Sequence, residues 1–139
     1  MDKRTRAREL AIQGLYQLDI QGSHLLPQLA EFFTENDPDS LVCKLASEWT
    51  KGAWENLAVC DELIAASAIK WQLSRLSSVD KSILRLAVYQ LKFCPDIPPR
   101  VVINEAIELA KKFSTDKSPA FVNGVLDAVL KKIIADNTD

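Results

Sequence analysis

Apolar residues recur at three- and four-residue spacing along almost the whole chain, and with only four glycines in 139 residues little interrupts that period. Such spacing lays one apolar stripe along each helix and leaves no convincing alternation from which a sheet could be built. The pattern therefore predicts an all-α fold. Ala7, Ala11, Gly14 and Leu18, widened by Leu10 and Leu15, form the stripe of a first helix over about residues 4–21. Gly22-Ser23 ends it, and a short second helix is expected from Leu25 or Pro27 to Glu35. Asn36-Asp37-Pro38 reads as a stop and restart, with Asp37 as N-cap and Pro38 at the first helical position. Leu41, Leu45, Trp49, Ala53, Leu57, Cys60, Ile64 and Ser67 then sustain one long third helix. Gly52 inside it costs ~1 kcal/mol against alanine and marks a close-packing point.

Trp71 to Ser78 reads as a hinge holding at most a turn of helix. A fourth helix over about 79–94 carries Leu84, Ala87, Val88 and Leu91, and Cys94-Pro95-Asp96 ends it. Pro98-Pro99 opens a fifth, with Val102, Ile103, Ala106, Ile107, Leu109, Ala110 and Phe113 on a broad apolar face. Glu105 and Glu108 are expected on its wet side with Lys111 and Lys112, and Glu108 to Lys112 as an i,i+4 pair worth ~0.3 kcal/mol. Ser118-Pro119 starts the last helix, with Val122, Val125, Leu126, Val129 and Ile133 as its core stripe. The expectation is two packed three-helix subdomains, about 1–74 and 75–139, within one domain; a chain of this length buries roughly 68% of its unfolded surface.

Several function classes are disfavoured by what the chain contains. The three cysteines, Cys43, Cys60 and Cys94, are odd in number and form no C-x-x-C pair, so they read as reduced, buried thiols of a cytoplasmic protein. No apolar run approaches a membrane span, and no apolar signal core follows the first charges. His24 is the sole histidine, so a nucleophile, base and orienter have little to be assembled from. Nucleotide-binding glycine loops and zinc or calcium motifs are lacking. No enzyme activity, cofactor, metal or membrane partner is expected; a binding function is.

The charge distribution says where. Lys3, Arg4, Arg6 and Arg8 crowd the first eight residues with Asp2 as their one anion, a net +3 that leaves −5 for the rest of a chain whose formal total is −2. Cations at a helix N-terminus oppose the helix dipole, so a solvated, frayed end competes with a second reading, a docking pole for phosphate. Because unpaired charges do not enter a core, the first turn is expected to project past the bundle with its cations exposed. Phe121 lies about 100° from the centre of its helix stripe, behind the loop Ser114-Thr115-Asp116-Lys117-Ser118-Pro119. Packing at a bundle edge is the plainer account of it; the sharper one is a stacking face for an unpaired base beside Lys117. Tyr16 and Val79-Asp80-Lys81 are ambiguous between core edge and protein contact, and Trp49, Trp54 and Trp71 read as core or subdomain-interface residues.

Arg4-Thr5-Arg6-Ala7-Arg8-Glu9-Leu10-Ala11 with Gln13-Gly14-Leu15-Tyr16 resembles the opening of the NusB family of transcription antitermination factors. The resemblance is stronger in Val79-Asp80-Lys81-Ser82-Ile83-Leu84-Arg85-Leu86-Ala87, Val102-Ile103-Asn104-Glu105-Ala106-Ile107-Glu108-Leu109-Ala110-Lys111 and Phe121-Val122-Asn123-Gly124-Val125-Leu126-Asp127. It covers residues 3–18 and about 75–131, while the middle third matches in helical character only. It implies a non-catalytic protein that binds single-stranded boxA RNA of ribosomal transcripts together with NusE, a small-subunit ribosomal protein. The complex would join NusA, NusG and RNA polymerase. Lys3, Arg4, Arg6, Arg8 and Phe121 match the family's RNA-binding positions, and Lys117 adds a phosphate contact by charge and position. Tyr16 and Asp80 fall at the partner surface. Four phosphate contacts would give a log–log salt slope of about −3. Thr5 and Asp2 depart from a denser arginine run, which implies modest RNA affinity without NusE. Two other readings stay open: a protein-only helical adaptor or homodimer, and the detached RNA-binding module of an RNA methyltransferase.

Overall fold

The computed structural model describes residues 1–68 and 73–137. Those residues form seven α-helices: α1 (Lys3–Gln21), α2 (Leu29–Asn36), α3 (Ser40–Glu55), α4 (Leu57–Ser67), α5 (Ser78–Phe93), α6 (Pro99–Phe113) and α7 (Ser118–Asp136). Short 3₁₀ segments at Ser23–Gln28 and Leu73–Arg75 link them, and no strand occurs among the described residues. Trp71, and with it the start of the expected hinge, lies outside them. None of the described helices is long and apolar enough to cross a membrane.

Each helix end has a local cause. Asp2 caps α1, its Oδ1 accepting from the backbone N–H groups of Arg4 (2.8 Å) and Thr5 (3.2 Å). The anion that the sequence sets beside the arginines thus offsets the unfavourable meeting of cations and helix dipole. Gly22 ends α1 at φ 98°, a left-handed conformation that favours glycine, with its N–H on the Leu18 carbonyl at 2.8 Å. Ser77 caps α5 through a 3.1 Å bond from the Asp80 N–H.

The structure corrects three expectations in the middle of the chain. The long third helix is two helices parted at Asn56, whose backbone leaves the helical range at φ −108°, ψ 25° and whose amide turns back to the Gly52 carbonyl. Asp39, not Asp37, is the N-cap of α3, and the helix begins at Ser40 rather than Pro38. The buried line of α3 is Val42, Ala46, Trp49 and Ala53: Trp49 and Ala53 lie on it as expected, while Leu41, left 42% exposed, and the half-buried Leu45 give way to the smaller apolar residues beside them. The stripes of α1 and α7 lie as the spacing predicts, with Ala7, Leu10, Ala11, Leu15 and Leu18, and Val122, Val125, Leu126, Val129 and Ile133, all buried.

One hydrophobic cluster runs through all seven helices. α5 is its centre: it packs against α1, α3, α4, α6 and α7, while α1 lies across α3 and α5, and α6 pairs with α7. A polar clasp ties three of them. Arg85 of α5 donates to Asp61 of α4 through Nε (2.8 Å) and Nη2 (3.0 Å), and to Asp19 of α1 through Nη1 (2.8 Å). Lys81 and Ser78 add bonds to Asp19 at 3.1 and 2.7 Å. Burial alone would raise the Asp19 pKa, but hydrogen bonds from Ser78, Arg85 and Lys81 outweigh it and hold the carboxyl below its ordinary range. Tyr89 occupies the space a side chain at Gly52 would need, its ring end meeting the position of a Cβ there.

Candidate nucleic-acid interface

The four N-terminal cations do not behave alike. Arg4 is exposed and has no salt bridge among the described residues. Lys3 is 61% exposed, with its ammonium 2.8 Å from Asp39. Arg6 is held by Asp37 (Nε, 3.3 Å), Glu9 (Nη1, 3.1 Å) and the Asn36 carbonyl (Nη2, 3.2 Å).

Arg8 overturns the expectation that the whole first turn projects into solvent, for it is only 2% exposed. Its guanidinium lies 5.1 Å from the Trp49 ring centre, donates to the buried Gln90 at 3.3 Å and stands 3.6 Å from Glu105. Burial lowers its pKa, and Glu105 opposes that shift. An arginine enters a core on these terms because a flat, weakly hydrated cation can stack and pair at once. The neighbouring Thr5 donates to Glu105 at 2.9 Å, so the residue that breaks the arginine run fastens α1 to α6.

Lys3 and Arg6 line a cleft of about 520 Å³ whose other wall is supplied by Glu9, Asp37, Asp39 and Lys112. Lys112 reaches it from α6, donating to Glu9 at 2.6 Å, while Lys111 pairs with Glu108 at 3.1 Å. The expected Glu108 to Lys112 pair is thus replaced by a tertiary one. Glu105, expected on the wet side, faces Thr5 and Arg8 instead.

Phe121 is half-buried and lines a second cavity of about 250 Å³ with Lys117, Arg75, Leu76 and Asp80. The loop before α7 is fixed from α5: Asp80 accepts from Ser114 Oγ at 2.6 Å and from Ser118 Oγ at 3.1 Å. Asp80 therefore positions Lys117 and Phe121 from below. Tyr16, 40% exposed, lies in a third, apolar groove of about 330 Å³ with Ile12, Phe32, Val79 and Phe113. The C-terminal end of α6 and the loop after it connect all three: Lys112 borders the first cleft, Phe113 the groove, and Thr115 and Lys117 the Phe121 cavity.

Sequence reasoning missed Glu9, Asp37, Asp39 and Lys112. Asp37 and Asp39 carried a signal, two anions flanking a proline in a loop; nothing local to Lys112 tells where its ammonium goes.

The NusB family model matches residues 5–131. A transcription antitermination protein NusB from Geotalea uraniireducens is 43% identical, with 93% of this chain and 94% of the relative aligned. One from Syntrophus aciditrophicus is 38% identical over all of this chain and 86% of its own. Among solved structures, T. maritima NusB superposes with a TM-score of 0.85 at 39% identity, covering 95% of this chain and 92% of that one. The NusB of a crystal structure of antitermination factors NusB and NusE in complex with dsRNA gives 0.82 at 29% identity, covering 95% and 98%. With its helical core, its N-terminal motif and nearly its full length matched, the chain belongs to the NusB family.

Proposed function

We propose that this protein is a transcription antitermination factor that binds single-stranded boxA RNA jointly with NusE and is carried with NusA and NusG onto RNA polymerase. The observation that carries this reading is the exposed N-terminal face of α1, where Lys3, Arg4 and Arg6 stand at one end of a fold matched by a NusB found with NusE and RNA. Those three cations contact phosphate, while Phe121 stacks on a base beside Lys117. Arg8 acts from inside, holding the first turn of α1 on Trp49. Three phosphate contacts from this face set a ceiling of about −2 on the salt slope, shallower than four would give. The groove around Tyr16 and Phe113 is apolar enough to take the partner, and the two ligands bind cooperatively because each prepays part of the other's ordering.

The test is fluorescence anisotropy of labelled boxA and scrambled RNA, with and without NusE, for wild type, Arg4→Ala and Phe121→Ala. Preference for boxA, strengthened by NusE, is expected. Arg4→Ala should weaken both RNAs and flatten the salt slope, and Phe121→Ala should weaken boxA more than the control. Equal, negligible binding of both RNAs even with NusE would favour the protein-only adaptor.

A further inference from the structure

The ionisable side chains that line the cleft beside the first turn of α1 balance in charge. Its cations are Lys3, Arg6 and Lys112, and its carboxylates are Glu9, Asp37 and Asp39. Each of the three cations is within salt-bridge distance of a carboxylate: Lys3 to Asp39 at 2.8 Å, Arg6 to Asp37 at 3.3 Å and to Glu9 at 3.1 Å, Lys112 to Glu9 at 2.6 Å. Glu9 is 3% exposed and fixed within α1. Asp37 and Asp39 differ, because both lie in the three-residue link between α2 and α3. Each uses one oxygen for the backbone and the other for a cation. Asp37 Oδ1 accepts the Asp39 N–H at 2.9 Å, and Asp39 Oδ1 accepts from the N–H groups of Leu41 (2.9 Å) and Val42 (3.1 Å). Their Oδ2 atoms face Arg6 and Lys3.

We infer that Asp37 and Asp39 are selectivity determinants of the RNA site, a built-in pair of anions that an incoming phosphate backbone must displace. The inference rests on the RNA-binding reading above. A strand that offers phosphates alone exchanges one ion pair for another and meets repulsion from the carboxylates it frees, so its gain at Lys3 and Arg6 is small. A strand that also stacks on Phe121 brings binding energy from elsewhere and completes the exchange. Arg4, without a salt bridge among the described residues, is left to capture the first phosphate. In an acidic chain this arrangement suppresses indiscriminate polyanion binding at the basic N-terminal end of α1.

Asparagine at either position keeps the Oδ1 acceptor and puts a neutral amide NH2 in place of the charged Oδ2 that faces the cation. Anisotropy with labelled boxA and scrambled single-stranded RNA, each with and without NusE, would compare wild type with Asp37→Asn/Asp39→Asn. The charge-matched control is Glu55→Gln/Glu62→Gln, at exposed positions of α3 and α4. The loop variant should bind scrambled RNA roughly tenfold more tightly and boxA by a smaller factor, about threefold, with a salt slope steeper by about 1 because no freed carboxylate takes up a cation. The control should move both RNAs equally and by about twofold. Asp39→Asn alone should raise scrambled binding about threefold, and that gain should vanish in a Lys3→Ala background; this cycle serves if the double variant melts early. Unchanged affinities, a rise no larger than the control's, or a gain that survives Lys3→Ala would overturn the inference while leaving RNA binding in place. Failure of every variant to bind either RNA, even with NusE, would overturn the RNA reading and this inference with it.

Discussion

Replacing Arg8 should cost stability before it costs binding. In Arg8→Ala the guanidinium leaves the Trp49 face, a stacking contact of about 1–2 kcal/mol at a desolvated site. Gln90 is 1% exposed and its Nε2 already has no hydrogen-bond partner among the described residues, so loss of Arg8 orphans its Oε1 as well. A buried acceptor left so costs about 1–3 kcal/mol. Glu105 keeps Thr5 as a donor and is 23% exposed, so its lost ion pair adds less than about 1 kcal/mol. Against these stands the desolvation of the guanidinium, visible as the lowered Arg8 pKa. The net expectation is about 2–3 kcal/mol, or a fall in Tm of roughly 10 °C for a chain of this size. Urea unfolding of Arg8→Ala, Arg8→Met and Arg4→Ala measures it. Arg8→Met should recover part of the loss by filling the space over Trp49, and Arg4→Ala should lie within about 0.5 kcal/mol of wild type. An Arg8→Ala protein as stable as wild type, with RNA binding abolished, would refute the reasoning and return Arg8 to the exposed phosphate-binding set.

Gly52→Ala should destabilise by about 1–2 kcal/mol although alanine favours helix, because the new Cβ meets the Tyr89 ring end; in a Tyr89→Ala background the same change should become stabilising, and a double-mutant thermal cycle reads the coupling. Asp19→Asn should weaken the Arg85 clasp by about 1–2 kcal/mol at neutral pH. Since the native Asp19 pKa lies below the unfolded one, its stabilising share is whole above about pH 4–5 and is lost as pH falls through the native value, so the variant's stability should change less between pH 5 and 2. Burial, with Asp61 adding and Arg85 opposing, pushes the Cys60 thiol up to about 12, so about one molecule in ten thousand carries the thiolate at pH 8. Cys43 and Cys94, expected to be buried, are only partly so, and a thiol-reactive dye should therefore count at most these two in the native protein and Cys60 only on unfolding.

Amphipathic period made α1, α5, α6 and α7 legible, since a 3.6-residue stripe needs only the side chains on it. It failed at Asn56 and in the first turns of α3, where a turn compatible with helical spacing and a choice between adjacent apolar residues are settled by what packs opposite. The N-terminal cluster was legible as charge and not as geometry. Lys3, Arg4, Arg6 and Arg8 look alike in one dimension, yet Trp49 and Gln90, far along the chain, bury Arg8 while Asp37 and Asp39 cover Arg6 and Lys3.

By itself, then, the amino-acid order determined most of the helices and core stripes, the family and the end of the molecule at which charge collects, because these follow from spacing and local composition. Only the tertiary structure decided which cations remain free, that Asp80 braces the loop of Lys117 and Phe121, and that Lys112 joins the basic cleft. Electrostatic partnership depends on distances of a few ångströms between residues up to 103 positions apart, and tertiary packing sets those distances.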